Sequence, residues 1–429
     1  MTYDELIRGL WSLGHAQGMR LGLERVAAAA ERLGRPNLAY PAVHVAGTDG
    51  KGSTSHVAAR ILARHGLRVG LTTSPHLHRL TERIRIDGEE LPRDELARIA
   101  GAVRERVGPW EDGELTFFEV VTLLAFEAFR RRAVDVAVVE VGLGGRLDAT
   151  RLCRSVVSAI TSIGLDHTAQ LGDTTGAIAG EKAGIFAAGV PVVLGPLDPP
   201  AREVALARAR ELGCPVVAFE AGDGSLRPLL GVATAGKLAR DAASLLPPPP
   251  LRGEHQRANA AVAAVAALAA LRALGRPPSP AAFAVPPFVL PGRLERLDGP
   301  PPILLDVAHN PHGAASLARE LERDGLRPRF VLGTLATKDV EGIARVLGTA
   351  DRPCHACAPA LPGVHSAARV AAAWPGPSTV HGSVAEALAA AQTAAAPGET
   401  IVVTGSHYTV AEARAGLLGI TEVDRPIAL

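Results

Sequence analysis

The stretch "VAGTDGKGSTS", residues 45–55, decides how the rest of the chain is read. An apolar, strand-like lead (Val43, Val45, Ala46) runs into Gly47, Thr48, Gly50, Lys51 and Gly52, and Ser53 and Thr54 follow. Glycines so placed let backbone N–H groups approach phosphate oxygens, and a helix opening over 52–65 adds its positive N-terminal end. Lys51 supplies a compact charge for the terminal phosphates, and the Ser53 hydroxyl suits Mg²⁺ or a phosphate oxygen. The spacing is shorter than the common G-x-x-x-x-G-K-[ST] form. A plain glycine-rich strand-to-helix turn is the alternative, and it leaves the lysine unexplained. Asp49 is the odd member, an anion where phosphates would arrive.

Lysine is scarce elsewhere. Arginine outnumbers it 41 to 4, the lysines being Lys51, Lys182, Lys237 and Lys338. Such a chain keeps lysine mainly where a compact ammonium, or an amine able to lose its proton, has no substitute. Lys237 reads as a chance survivor. At 429 residues the chain has room for two or three domains. A net charge of +1 and 21% charged residues give no reason to expect a nucleic-acid partner. The apolar run 260–275 is Ala-rich and meets Arg272, so no membrane span is expected. The N-terminus has no signal-like apolar core, and a cytoplasmic protein is expected. Four cysteines make no disulfide framework, and Cys354 and Cys357 read as small buried residues.

Apolar runs alternate with Ala/Leu/Arg helices, which argues for a parallel α/β architecture. Strands are expected at 42–46, 134–141, 156–161 and 190–195, then at 303–308, 329–333 and 401–405. Uninterrupted Val/Ile/Leu runs suit strands buried on both faces. "SLLPPPPLRG" (244–253) reads as a stiff surface connection, and a hinge is expected near 290–297.

Chemistry collects at the strand ends. Glu140 opens "EVGLGGRLDAT" (140–150), and in open α/β sheets the carboxyl edge is where ligands bind. A carboxylate there is a natural Mg²⁺ ligand opposite the phosphates, although it could equally cap the next turn. "TSIGLDHTAQLGDT" (161–174) places Asp166 and His167 beyond another strand, and "GEKAGIF" (180–186) brings Lys182 toward the same edge. A lone histidine is more often structural, but here three strand ends deliver Lys51, Glu140 and His167 to one rim.

These segments, together with "TSPHL…ERIRIDG", "TFFE", "GEHQRANA", "LPGRLE", "LDVAHNPHGA" and "TGSHYTVAEAR", resemble the folylpolyglutamate synthase/dihydrofolate synthase family, within the Mur-ligase-like ATP-dependent amide ligases. The match is collinear from about residue 15 to 415. The resemblance implies a P-loop-type parallel-sheet ATPase domain (1–292) that also carries the pteroate pocket. A smaller Rossmann-like α/β domain (293–429) would bind glutamate and close over ATP.

It also implies roles. Gly50, Lys51, Gly52 and Ser53 would hold ATP phosphates, with Asn259, Arg293 and Asp306 as further ATP contacts. Ser74 and Glu140 would bind one Mg²⁺ and His167 a second. Lys182 matches a lysine the family carbamylates, a change that turns a cation into an oxygen ligand and that a permanently charged guanidinium could not undergo. Thr116, Phe117, Phe118, Glu119, Leu147, Asp148 and Ala149 would line the pteroate pocket. For Phe117 and Phe118, ordinary helix core is an equal alternative. His309 and Ser406, with His407 beside them, are candidates for the glutamate end. Lys338 has only a general place, behind the site or facing phosphate.

Three positions depart from the family pattern. Asp49 stands where the loop usually has asparagine, and an anion there is costly unless it faces solvent, meets an arginine or joins a metal shell. Arg151 replaces the asparagine of "DATN". Arg20 falls where dual-function relatives often carry an acid facing the pterin. The expected reaction joins L-glutamate to dihydropteroate or a folate through an acyl phosphate, in a monomer. A Mur-type ligase for another carboxylate, or a nucleotide-binding relative that has lost catalysis, remains open.

Overall fold

The computed structural model describes residues 1–16, 20, 22–110, 115–221, 226–228 and 248–424. Lys237 and residues 244–247 of the proline connection lie outside them. Among the described residues the strands form two sheets. The first contains β1 (Ala42–Ala46), β2 (Val69–Thr72), β3 (Ile84–Ile86), β4 (Glu89–Glu90), β5 (Val136–Glu140), β6 (Ser155–Ile160), β7 (Val192–Leu194), β8 (Val216–Ala221) and β9 (Leu226–Pro228). Its order is β4-β3-β2-β5-β1-β6-β7-β8-β9. The second contains β10 (Glu295–Leu297), β11 (Ile303–Leu305), β12 (Arg327–Leu332), β13 (Cys354–Ala356), β14 (Ser378–Val380) and β15 (Glu399–Thr404), in the order β10-β11-β15-β12-β13-β14.

The middle of the first sheet explains its own sequence. Every residue of β1 and β5 is buried, because helices cover both faces. One face packs on Phe117–Arg131 and Arg93–Val107, and the other on Lys51–Arg64 and His255–Ala273. Strands enclosed in this way have no polar side to show, so they read as unbroken apolar runs. Both sheets depart from the all-parallel expectation at their margins. The pairs β2/β3, β3/β4, β8/β9 and β10/β11 are antiparallel. The β3/β4 pair is a short hairpin turning at Asp87–Gly88, a local signal overlooked in favour of the long βαβ rhythm. The strands β2, β9, β10, β13 and β14 were also missed, being only three or four residues long, and so was β8, although its run VVAFEA is six residues and mostly apolar.

The Ala-rich run 260–275 becomes most of helix His255–Ala273, a helix buried nearly all round and laid against Lys51–Arg64. Its alanines are what let two helices approach closely beneath the sheet. None of the described helices is long and apolar enough to cross a membrane. All four cysteines are buried and free, and burial pushes the Cys354 thiol well above its ordinary value and the Cys357 thiol up to about 12, so the C-x-x-C pair packs as inert small residues.

This packing is testable. Ala263 has no solvent exposure, so Ala263→Leu overpacks the helix pair and is expected to cost about 1–3 kcal/mol. Urea denaturation measures it, and an unchanged midpoint would show that the helix is not enclosed.

Candidate active site

In β1 the register is Val45↔Glu140 toward β5 and Ala46↔Ile160 toward β6. Three carboxyl ends therefore finish side by side, and the loop 47–50 leaves the central one. Two of its glycines are required by close approach. A Cβ on Gly47 (φ +152) would sit 1.9 Å from Thr161 Oγ1, and one on Gly50 (φ +82) 2.2 Å from Asn259 Oδ1. Thr161 and Ser162 hydroxyls donate to the Asp49 carbonyl at 2.6 and 3.1 Å, and Thr48 N–H donates to Ser162 O at 2.7 Å. Lys51 Nζ folds back along its own loop, donating to Gly47 O at 3.1 Å and Thr48 O at 2.9 Å.

One cavity collects the rim: Gly47, Thr48, Gly50, Lys51, Gly52, Ser74, Glu140, His167 and Lys182 all line it. Glu140 is buried, accepts from Ser74 N–H at 3.0 Å, and has its carboxyl pushed up by burial against the opposing pull of Lys51. Lys182 donates to Gly47 O at 2.8 Å. Burial first, and then the charge of Lys51, lower its amine to about 7. An ammonium so lowered loses its charge readily, and it fits an amine open to modification. His167 takes a left-handed backbone (φ +50) that a non-glycine residue adopts only when its surroundings hold it. Asp166 supplies part of that hold by accepting the His167 N–H at 2.9 Å. Burial and the charge of Lys338 lower the His167 imidazole to about 4, leaving it neutral and able to act as a nitrogen donor.

The other end of the cavity is less polar. Thr116 and Glu119 form a reciprocal cap on helix Phe117–Arg131, and Glu119 also accepts from Arg25 at 3.0 Å. Both line the cavity, but these partners hold their side chains. Phe117 lines the cavity too but is largely buried in the core, with the buried Arg83 guanidinium 5.1 Å from its ring centre. Phe118 lies against the backbone at Gly142, where a Cβ would be 2.4 Å from its ring. Leu147, Asp148 and Ala149 line the wall, as does Arg20. Asp148 caps the short turn Ala149–Leu152 and accepts from Leu143 and Thr150 N–H groups at 2.9 Å. Arg151 donates to the carbonyls of Gly184 and Phe186 at 2.8 and 3.3 Å, which ties down the loop just after Lys182.

The second sheet closes the cavity with Arg293, His309, Lys338, Ser406, His407 and Tyr408. Ser406 caps helix His407–Leu418. Three expected ATP contacts, Ser53, Asn259 and Asp306, do not line the cavity. Ser53 is buried in the first helical turn, and Asn259 abuts Gly50 from below. Asp306 accepts from the Leu294 and Ala308 N–H groups at 2.9 and 3.0 Å, bracing the segment that carries Arg293.

The residue the motifs under-read is Asp166. Its carboxylate accepts from Lys338 Nζ at 2.6 Å and Asn310 Nδ2 at 3.1 Å, with His309 Nε2 at 3.5 Å. Burial alone would raise it, but His309 and Lys338 hold it well below the ordinary carboxylate range. Lys338 also lies 3.2 Å from His167 Nε2. All of these cross between the two sheets. The signal was present in "LDVAHNPHGA" and in the scarcity of lysine, but which strand end Lys338 reaches is a tertiary fact.

A model of the Mur ligase middle domain matches residues 45–267, and one of the Mur ligase glutamate ligase domain matches 292–407. The dihydrofolate synthase/folylpolyglutamate synthase of Escherichia coli K12 is 36% identical over 92% of this chain and 91% of its own length. This chain belongs to the folylpolyglutamate synthase/dihydrofolate synthase family. It also spans 50% of a longer Haloferax volcanii relative, described as a probable bifunctional folylpolyglutamate synthase/dihydropteroate synthase, at 35% identity over 96% of this chain. E. coli FolC solved with DHPP and ADP superposes with a TM-score of 0.83 at 32% identity, covering 98% of both chains. The Yersinia pestis folylpolyglutamate synthase/dihydrofolate synthase solved with AMPPNP and a Mn ion superposes at 0.81 with 35% identity, covering 97% of this chain and 98% of that one.

The family member described here has oxygen and nitrogen donors suited to a divalent cation in Glu140, Ser74 and His167. No group of three or more His, Cys, Asp or Glu among the described residues makes a metal site unaided. Lys338→Met is expected to raise the pKa of His167 in metal-free protein, because the neighbouring charge is gone. Imidazole NMR titration reads this directly, and an unmoved titration would place Lys338 elsewhere.

Proposed function

We propose that this family member joins L-glutamate to a pteroate or folate carboxylate at the expense of ATP, acting as a monomer with a catalytic unit of residues 1–292 and a closing unit of 293–429. The observation that carries the reading is the arrival of Lys51, Glu140, His167 and Lys182 on one cavity wall, facing Arg293, His309 and Ser406 from the second sheet.

In this reading the loop N–H groups and Lys51 seat the triphosphate, and Lys51 swings from its own loop carbonyls to the terminal phosphates. The acceptor carboxylate, oriented between Phe118 and the wall at 147–149, attacks the γ-phosphate to give an acyl phosphate and ADP. The glutamate amine, positioned near His309 and Ser406, then attacks that carbonyl, and phosphate leaves as the amide forms. Ser74 and Glu140 would hold one Mg²⁺, and His167 with carbamylated Lys182 a second. Such cations neutralise charge developing on the transferred phosphoryl group. The protein's share is positioning and charge compensation, so no covalent nucleophile is required.

Carbamylation of Lys182 consumes the free amine, so its extent should rise with pH through about 7 and with bicarbonate. Lys182→Arg is expected to lower kcat by about 10–100-fold while leaving ATP affinity nearly unchanged. Full activity in that variant would remove the carbamate. Glu140→Gln should shift the Mg²⁺ activation curve to higher concentration, and an unshifted curve would reassign the carboxylate. Glutamate-dependent ADP release with dihydropteroate and, separately, with tetrahydrofolate monoglutamate tests the function itself. Release with neither, but with ATP bound in titration calorimetry, would point to a binding module or to a Mur-type ligase with another acceptor.

A further inference from the structure

Asp49 lines the same cavity, and its carboxylate meets no arginine there but two side chains of the second domain. Its carboxylate accepts from His312 Nδ1 at 2.7 Å through one oxygen and from Asn310 Nδ2 at 3.3 Å through the other. Asn310 caps helix Pro311–Arg323, and His312 lies in its first turn. The same Asn310 amide reaches Asp166 at 3.1 Å, so one side chain of the second domain spans two loops of the first. A Cβ at Gly164 would be 3.2 Å from His312, so the ring is seated against the loop after β6 as well.

We propose that Asp49 is a positioning residue for domain closure, tying the phosphate loop to the start of helix Pro311–Arg323 so that the second domain closes over a loop already in register. This rests on the ligase reading above. The geometry asks for a carboxylate rather than an amide. Two donors converge on it, and asparagine would offer one acceptor and set an NH₂ against the other donor. It also explains how an anion is tolerated there: its charge is answered by His312 and His309 of the closing domain together with Lys51.

The device depends on pH. The bond to Asp49 raises His312, with Arg319 on the same helix opposing. Burial would raise Asp49, but His312, His309 and Lys51 hold it well below its usual range. Lys182, His255 and Asp306 also feel the Asp49 charge. His312 favours closure fully below its ordinary value of about 6.5, and this is lost as pH rises through the raised value. Asp49 favours closure above about 4, and this is lost as pH falls through its depressed value. Closure is therefore strongest between about 4 and 6.5 and relaxes on the alkaline side.

The test is a cycle of Asp49→Asn, His312→Gln and the double variant in the full chain. Each single change is expected to lower kcat about tenfold, the size of one charge-assisted hydrogen bond, with ATP affinity within about threefold of wild type. The double variant should be no worse than either, and the alkaline fall in kcat should disappear. Small-angle scattering without substrates should show wild type expanding between pH 6 and 8.5 while the variants stay expanded throughout. Additive losses, an ATP affinity that falls as far as kcat, or scattering identical to wild type would overturn the proposal. A wild type without glutamate-dependent ADP release would strike the ligase reading instead, and the scattering would still judge the latch.

Discussion

The structure depends on the parallel pairing of β1 between β5 and β6. A parallel ladder brings carboxyl ends to one edge, and here the middle strand delivers the phosphate loop while its neighbours deliver Glu140 and the segment of His167. No single side chain makes this site. Register does, and register is held by strands buried on both faces, where a one-residue slip would exchange the helix-facing sets of side chains.

Charge links the two halves. Asp166 and Asp49 belong to the first sheet, and their partners Lys338, His309, Asn310 and His312 to the second. Elsewhere Arg414 pairs with Glu295 at 3.0 Å and approaches His78 at 3.2 Å, while Asp424 accepts from Tyr3 and Leu80 at 2.5 and 2.7 Å. Among the described residues the halves thus meet largely through polar and ionic contacts around a cavity, with Leu77 of the first half packed against the apolar core of the second sheet. That suits the closing unit proposed above, since such contacts exchange readily for water.

Much of this was legible in the order of residues. The strand-loop-helix at 42–64, the buried runs at 136–140 and 155–160, and the retention of Lys51 and Lys182 in an arginine-rich chain all pointed to the site. Short strands such as β13 and β14 were not legible, because three residues hold too little pattern to outweigh their polar members. Asp306 and Asn259 were assigned to ATP from their motifs, yet in the fold one braces backbone and the other supports Gly50. Thr116 and Glu119 likewise were placed in the pocket, where they do stand, but their polar atoms serve a helix cap. Motif membership identifies a neighbourhood, while hydrogen-bond partners depend on what folds against it.

Sequence alone determined the chemistry available: glycines that admit phosphate, a lysine that can lose its charge, and carboxylates at strand ends, all following from residue type and local periodicity. Only the tertiary structure decided which charges answer one another across the cleft. Lys338 lies 172 residues from Asp166, and His312 lies 263 from Asp49. Such pairings are set by how two separately built sheets are packed, and no spacing along the chain encodes that.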